Sequence, residues 1–486
     1  MQINVQNAAN AVIGNPNYSI SDWINWLTTL AISNNVIHDK DITETLIDFY
    51  RGLQLDKLEE LIKEQYPKSY KQLTWQMEIC NVVKMFIDQT SVIYKFGATR
   101  TLTTDSQPEK DLWEWIMRSS KYERKLVDVN KKVNLTENVV VRVWYDTVDE
   151  IIKLDILTRD LLDVLPSAND CSEAEGVYYM QPLSVYNDSI RYHYWGVDDY
   201  AVFDSKTGKY IAVDKNEGQE NPYHILPFTR FTKTFPENGY FVPPPEDLLL
   251  IQQSINLKIV ELNNMLKFQA FATPVVIGTI DATAGIDPSL PIVIDNSGRD
   301  EQPSSFSYAN PDADFESLST EIAEKIRRFA QTRGFSPADF TVTGGYTSGI
   351  ALEISGRAMT DMLNNEKPFY EDGEEELFSI IKEVWNYHSN FTSPSHPYHG
   401  KKFSDSTVLN VLIHEPTISR DGADELPRNQ FELDNGFLSS IGYYVRTYGI
   451  TEEEAKERYE NEKKLRAEYP FDVEEAKDKV VVDTDE

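Results

Sequence analysis

The sequence predicts an α+β chain, and three observations carry that prediction. Apolar residues recur at helical spacing over roughly the first 130 positions. Short β-branched and aromatic runs, separated by turn residues, follow from about Asn134. Between Asp247 and Tyr387 the pattern then reads helix, β-rich insert, helix, glycine-rich loop, longer helix. At 486 residues the chain has length for two to four domains and an ample core.

In the first region Ser21 or Asp22 can cap a helix whose face carries Trp23, Trp26, Leu27 and Leu30. Ile42, Leu46, Phe49 and Tyr50 repeat that spacing, as do Val82, Val83, Phe86 and Ile87. Strands are predicted at Val139–Tyr145, Ile151–Leu157, Val177–Met180, Ile190–Trp195, Tyr200–Phe203 and Tyr210–Val213, an antiparallel set by their spacing. The tyrosines concentrated here read as half-buried sheet packing.

Four prolines in the eleven residues Phe235–Pro245 force an extended connection. A helix from Glu246 to Phe271, roughly 39 Å long, follows. Leu248, Ile251, Ile255, Ile259, Leu262 and Leu266 form its apolar seam, with Gln252, Asn256, Asn263, Asn264 and Lys267 expected on polar flanks. Thr273-Pro274 ends it; Val275–Ile277 and Ile292–Ile294 read as short strands. The next helix, Ala313–Arg333, has Phe315, Leu318, Ile322, Ile326 and Phe329 on one face. Its acids come early and its bases late, matching the helix dipole, and Gly334 suits a C-terminal cap. A small, hydroxylated loop leads into a third helix with Leu352, Met359 and Met362, expected to bend at Pro368 and resume through Leu377, Ile381 and Trp385. Glu371–Glu376 reads as a solvated acidic face, with a metal site as the lesser alternative. Thr407–His414 is another strand, and from Leu426 the chain reads as helical and highly charged, with an acidic tail at Val480–Glu486.

Composition excludes several functions. With 47 basic and 79 acidic side chains the net charge is −32, which argues against tight, sequence-reading DNA binding. No apolar run suffices to cross a bilayer, and Met1–Asn17 lacks a secretion-signal pattern, so no membrane partner is expected. Cys80 and Cys171 belong to no CxxC pair. Gly344–Gly349 precedes a helix but lacks the Lys-Ser/Thr pair a P-loop needs. His396 and His399 lie in H-P-Y-H, where Pro397 prevents a helical metal pair, so a surface turn is expected. No serine sits in a nucleophile-elbow context, and carboxylates are too abundant to single out a pair. The sequence therefore offers no catalytic set, metal site or cofactor site.

Residues from about Val139 to Trp385 resemble the portal proteins of tailed bacteriophages. Ile225-Leu226-Pro227-Phe228-Thr229-Arg230-Phe231 is similar to the strand leaving that family's wing domain. Pro245–Leu248, with Ile251-Gln252 and Ile255-Asn256, is similar to its first stem helix. Phe271–Gly278 is similar to the approach to its clip, and Thr347–Leu352 to the end of its tunnel loop and the start of the long helix behind it.

The resemblance implies a portal fold: helical stem, antiparallel β-containing wing, small β-containing clip and helical C-terminal region. By position the wing is 1–245, the stem helices 246–271 and 313–334, the clip 272–312 and the tunnel loop 335–349. Residues 350–417 form the long helix and its return to the wing, and 418–486 the crown. The implied assembly is a homo-oligomeric ring, usually of twelve, at one capsid vertex. Double-stranded DNA passes through it, and the large terminase, a head–tail adaptor and the major capsid protein are its partners. Thr341, Val342, Thr343, Gly344, Gly345, Tyr346 and Thr347 are the implied tunnel-loop contacts with DNA. Lys258, Lys267, Lys325 and Arg328 are candidate channel-facing bases, and Ile280, Asp281, Asp287, Asp295 and Arg299 candidate clip contacts with partners. Two other readings stay open on sequence alone: an acidic carbohydrate-active enzyme built on the tyrosine-rich sheet, and a scaffold that never meets DNA.

Overall fold

The computed structural model describes residues 36–167, 169–184, 187–204, 220–237, 239–270, 273–277, 292–294, 305–309, 315–334, 349–414, 430–433, 435, 438–448 and 452–468. The chain divides into two compact units, one of Met1–Thr341 with Ala358–Pro416, the other of Val342–Arg357 with Thr417–Glu486.

The described part of the first unit opens with helices α1 (Val36–Arg51), α2 (Leu55–Gln65), α3 (Tyr70–Leu73) and α4 (Val82–Thr90). The expected apolar spacing is what they bury: Ile42, Leu46 and Phe49 of α1 pack with Val82, Val83, Phe86 and Ile87 of α4. Strand β1 (Ala98–Leu102) and helices α5 (Gln107–Ser119) and α6 (Tyr122–Thr136) follow. Next come β2 (Asn138–Asp146), β3 (Ile151–Leu157), β4 (Leu162–Pro166), β5 (Ala174–Ser184), β6 (Asn187–Gly196), β7 (Tyr200–Asp204) and β8 (Phe228–Thr232). These seven form two antiparallel sheets, one ordered β3-β2-β8 and one β4-β5-β6-β7. Tyr179 and Trp195 are buried with Phe228 between the two, as the packing interpretation of the aromatics expects.

Helix α7 (Glu246–Ala270) precedes three short strands, β9 (Thr273–Ile277), β10 (Ile292–Ile294) and β11 (Ser305–Ala309). They form a small mixed sheet: β9 lies centrally, parallel to β10 and antiparallel to β11. Helix α8 (Phe315–Thr332) comes next, and Gly334 closes it at φ +80°, the left-handed conformation its lack of Cβ allows. Helix α9 (Gly349–His388) runs unbroken for 40 residues with Pro368 inside it. The helix thus continues through Pro368 rather than resuming after it. Burial of Leu363, Tyr370, Leu377, Phe378, Ile381, Val384 and Trp385 in the main core outweighs the roughly 3 kcal/mol an interior proline costs. Gly373 lets α9 approach β8 closely, since a Cβ there would stand 2.8 Å from the Phe231 ring.

After α9 the chain returns to the same core: β12 (Leu409–Ile413) pairs antiparallel with β1. The acidic stretch of α9 is only in part the solvated face expected: Asp372 and Glu376 are exposed, Glu374 is not. Glu374 is fully buried and grips Arg100 of β1 through Nε–Oε2 at 2.5 Å and Nη2–Oε1 at 3.1 Å. Glu371 accepts from the Ile413 N–H at 2.9 Å. Burial pushes the Glu374 carboxyl above its ordinary range, while Arg100 pulls it back. The H-P-Y-H turn makes no metal site among the described residues. His396 packs edge-on to Trp115, and His399 hydrogen-bonds Thr392 at 3.0 Å.

The second unit contains α10 (Ser440–Tyr448) and α11 (Glu452–Glu468), which pack through Tyr444 and Tyr459, ring centres 6.5 Å apart. Their helical character agrees with the sequence. The helical run expected at Trp23–Leu30, the strand at Tyr210–Val213 and the acidic tail lie outside the described residues.

Candidate functional site

Helices α7 and α8 form the element to which the sequence assigns most. Arg333, just past the end of α8, meets Asp247 at the start of α7, with Nη2 2.7 and 2.9 Å from its carboxylate oxygens. Lys325, two turns earlier on α8, donates to Ser254 Oγ, two turns later on α7, at 3.0 Å. Contacts that run backwards on one helix as they run forwards on the other make the pair antiparallel. Leu248, Ile251, Ile255 and Ile259 of α7 share a cluster with Ile322, Ile326, Phe329 and Ala330 of α8. The seam is therefore an interhelical one, and the pair lies side by side for several turns.

The flank beside that seam departs from expectation. Gln252 and Asn256 are not solvated; they are 0% and 2% exposed. Gln252 Oε1 accepts from the Val83 N–H at 2.9 Å, while its Nε2 donates to the Cys80 carbonyl at 2.7 Å and to Asn256 Oδ1 at 2.9 Å. Asn256 Nδ2 donates to Gln54 Oε1 at 2.6 Å, and Gln54 Nε2 to the Phe49 carbonyl at 2.9 Å. A buried amide relay thus fastens α7 to the helical body of α1 and α4. One turn on, Leu257 and Val260 pack with Leu58, Ile62 and Leu73. Tyr66 Oη then donates to Glu261 at 2.5 Å, and Asn263 Nδ2 to Glu78 at 2.9 Å. From Leu248 to Asn263, α7 is braced on two sides.

The four candidate bases fall into two classes. Lys258 pairs with Glu261 at 2.8 Å, and that hydrogen bond raises its pKa. Lys325 has Glu321 at 3.8 Å besides Ser254. Lys267 is half-buried and Arg328 exposed, and neither has an ion pair among the described residues. Thr341, Val342, Thr343, Gly344, Gly345, Tyr346 and Thr347 lie outside the described residues, as do Ile280, Asp281, Asp287, Asp295 and Arg299. Sequence reasoning missed the amide relay and the buried Glu374. Buried amides and acids carry the same letters as solvated ones, and only their distant partners distinguish them.

Residues 38–395 match the family described as phage portal protein, SPP1 Gp6-like. The chain belongs to the phage portal protein family. No curated protein matches it. Among solved structures it is similar to a chain in the virion of the native gene transfer agent (GTA) particle: 14% identity, 79% of this chain and 94% of that one covered, TM-score 0.35. It is also similar to a chain in the neck of the native GTA particle computed with C12 symmetry: 14% identity, 75% and 88% covered, TM-score 0.38. A chain in the neck of the empty particle, computed with C6 symmetry, gives 13% identity, 75% and 89% covered, and TM-score 0.38. Family membership rests on the matched residues rather than on these superpositions. Phage portal proteins are structural proteins, so this chain is not an enzyme and the carbohydrate-active alternative falls. The described helices include none long and apolar enough to cross a membrane.

Proposed function

We propose that the chain is the subunit of a dodecameric ring at one capsid vertex, through which double-stranded DNA is packaged and later ejected. The observation that carries this reading is the braced antiparallel pair α7–α8 in a chain of the portal family. Between the two helices lies a small β unit, and the sequence beyond α8 is polar and glycine-containing. In this reading α7 and α8 are the stem, 272–312 the clip that meets the large terminase and then the head–tail adaptor, and 335–349 the tunnel loop. The sheets and helices of 1–245 and 350–417 form the wing beside the major capsid protein, and 418–486 the crown. Assembly takes place in the host cytoplasm and the product is part of the virion.

The electrostatics suit a conduit. A net charge of −32 per subunit gives a ring that holds DNA weakly. Lys258 and Lys325 each have a carboxylate close by, which lowers their net attraction for phosphate, and Lys267 and Arg328 are left as the less compensated bases. Sedimentation velocity and negative-stain microscopy of the purified protein test the reading. Rings with a central opening are expected; a chain that stays monomeric at high concentration would refute it.

A further inference from the structure

A cavity of about 290 Å³ lies where the end of α8, the Met362–Glu366 turn of α9, α4 and the start of α7 converge. Its apolar wall includes Phe86, Leu248, Phe329 and Met362. Glu366 stands in this wall, only 7% exposed, and among the described residues its Oε2 has no hydrogen-bond partner. An acceptor so placed is costly unless something satisfies it. The other charges lining the cavity are already matched. Lys233 pairs with Glu137 at 3.0 Å, and Arg333 with Asp247 at 2.7 Å. Two cations against the carboxylates of Glu137, Asp247 and an ionised Glu366 leave one negative charge over. Tyr370, one turn along α9, is a further titratable group near Glu366; its hydroxyl accepts from Asn130 at 2.8 Å.

We propose that this cavity is a binding site for a primary ammonium on a short aliphatic carrier, the carbon chain lying against the apolar wall and the nitrogen on Glu366. One monovalent cation completes the charge balance, and its N–H groups supply the donors that Oε2 lacks. The volume suits a small fragment rather than a nucleotide or a peptide. Such an ammonium has two possible sources, a free small amine or a lysine side chain of a neighbouring copy in the ring. Only the second rests on the ring reading above.

Binding is linked to protons. Burial raises the Glu366 pKa to about 7, Lys233 opposing and Glu137 reinforcing the shift. The amine requires the ionised carboxylate. Affinity should therefore be full above that pH and fall as pH drops, by up to about tenfold per unit below it.

The test titrates the separated chain with n-butylamine by calorimetry, with n-butanol as the uncharged control and the Met362 methyl signal as a local reporter. Butylamine should bind at least about tenfold more tightly than butanol at pH 8, lose that margin at pH 6, and lose it in Glu366→Gln, which resembles the protonated acid and should fold normally. Equal binding of amine and alcohol, an unchanged Glu366→Gln, or no binding to the separated chain would each overturn the proposal. Repeating the titration on assembled rings assigns the source. Rings that refuse butylamine hold a neighbour's lysine in the site, whereas rings that bind it leave the site to a free amine. If no rings form, the ring reading fails, while titration of the separated chain still decides the site.

Discussion

Replacing Gln252 by glutamate changes almost no volume and tests whether the amide relay holds α7 to the helical body. The carboxylate keeps an oxygen for the Val83 N–H but turns the two donor contacts, to the Cys80 carbonyl and Asn256 Oδ1, into oxygen facing oxygen. Each buried acceptor that loses its donor costs about 1–3 kcal/mol, so two cost about 2–6 kcal/mol in all. Asn256 cannot turn its amide to compensate without giving up its bond to Gln54. Burial raises the new carboxyl's folded pKa above its unfolded value, so the folded state binds more protons and the variant's stability falls as pH rises. At lower pH the protonated acid regains one donor. Urea unfolding followed by tryptophan fluorescence should show a loss of about 2 kcal/mol or more at pH 7.5, smaller at pH 5.5. A variant within about 1 kcal/mol of the parent at pH 7.5 would show that the relay does not hold the helix.

Three further outcomes are expected. Arg100→Met leaves Glu374 buried without its partner and should cost about 3–5 kcal/mol, whereas Arg100→Met with Glu374→Leu should recover most of that; equal losses in the two, read by urea midpoints, would refute the assignment. His193 is 8% exposed and stacks on Tyr179 with ring centres 4.9 Å apart. Burial pushes its pKa down to about 3, so the stability it contributes is present above its unfolded pKa and is lost as pH falls, about 2 kcal/mol by pH 5. His193→Phe should flatten that acid loss in the urea midpoints, and an unchanged slope would refute the argument. Thr343→Trp should stop DNA packaging in a particle assay while leaving ring assembly intact; normal packaging would remove 335–349 as the tunnel loop.

Elements whose faces differ in polarity were legible in the sequence, because a period of two or of 3.6 is written directly into the residues. Val139–Tyr145 and Ile151–Leu157 pair with each other as that pattern requires, and the apolar seam of α7 meets that of α8. The strands that escaped were short, and two of them, β1 and β11, are rich in polar residues, while β4 is largely apolar but only five residues long. Thr99, Arg100 and Thr101 of β1 resemble loop residues, and β11 alternates serine with aromatics over five positions. Pairing with a distant strand or burial against a distant helix stabilises such segments, and neither is a local property. The same limit hid the candidate site's anchoring. Gln252 and Asn256 sit on α7 at positions that look solvated, and their partners Cys80, Val83 and Gln54 are about 170 to 200 residues away in sequence.

That anchoring bears on how a conduit of this kind would work. A helix pair standing free at an opening would bend under load. Here α7 is packed on one side against α8 and bonded on another to the helical body, along most of its length. Arg333–Asp247 ties the far end of the pair, one residue before Gly334 and the loop that follows. Little compliance is therefore expected in the helices themselves. If 335–349 is the tunnel loop, as proposed, its sequence suits that role: glycine at 344 and 345 carries no Cβ, and the threonines have short side chains with little entropy to lose. Of the four bases on α7 and α8, two stand beside carboxylates of their own helices. On the proposed reading, a duplex sliding past would then meet a wall that stays in place and attracts it only weakly.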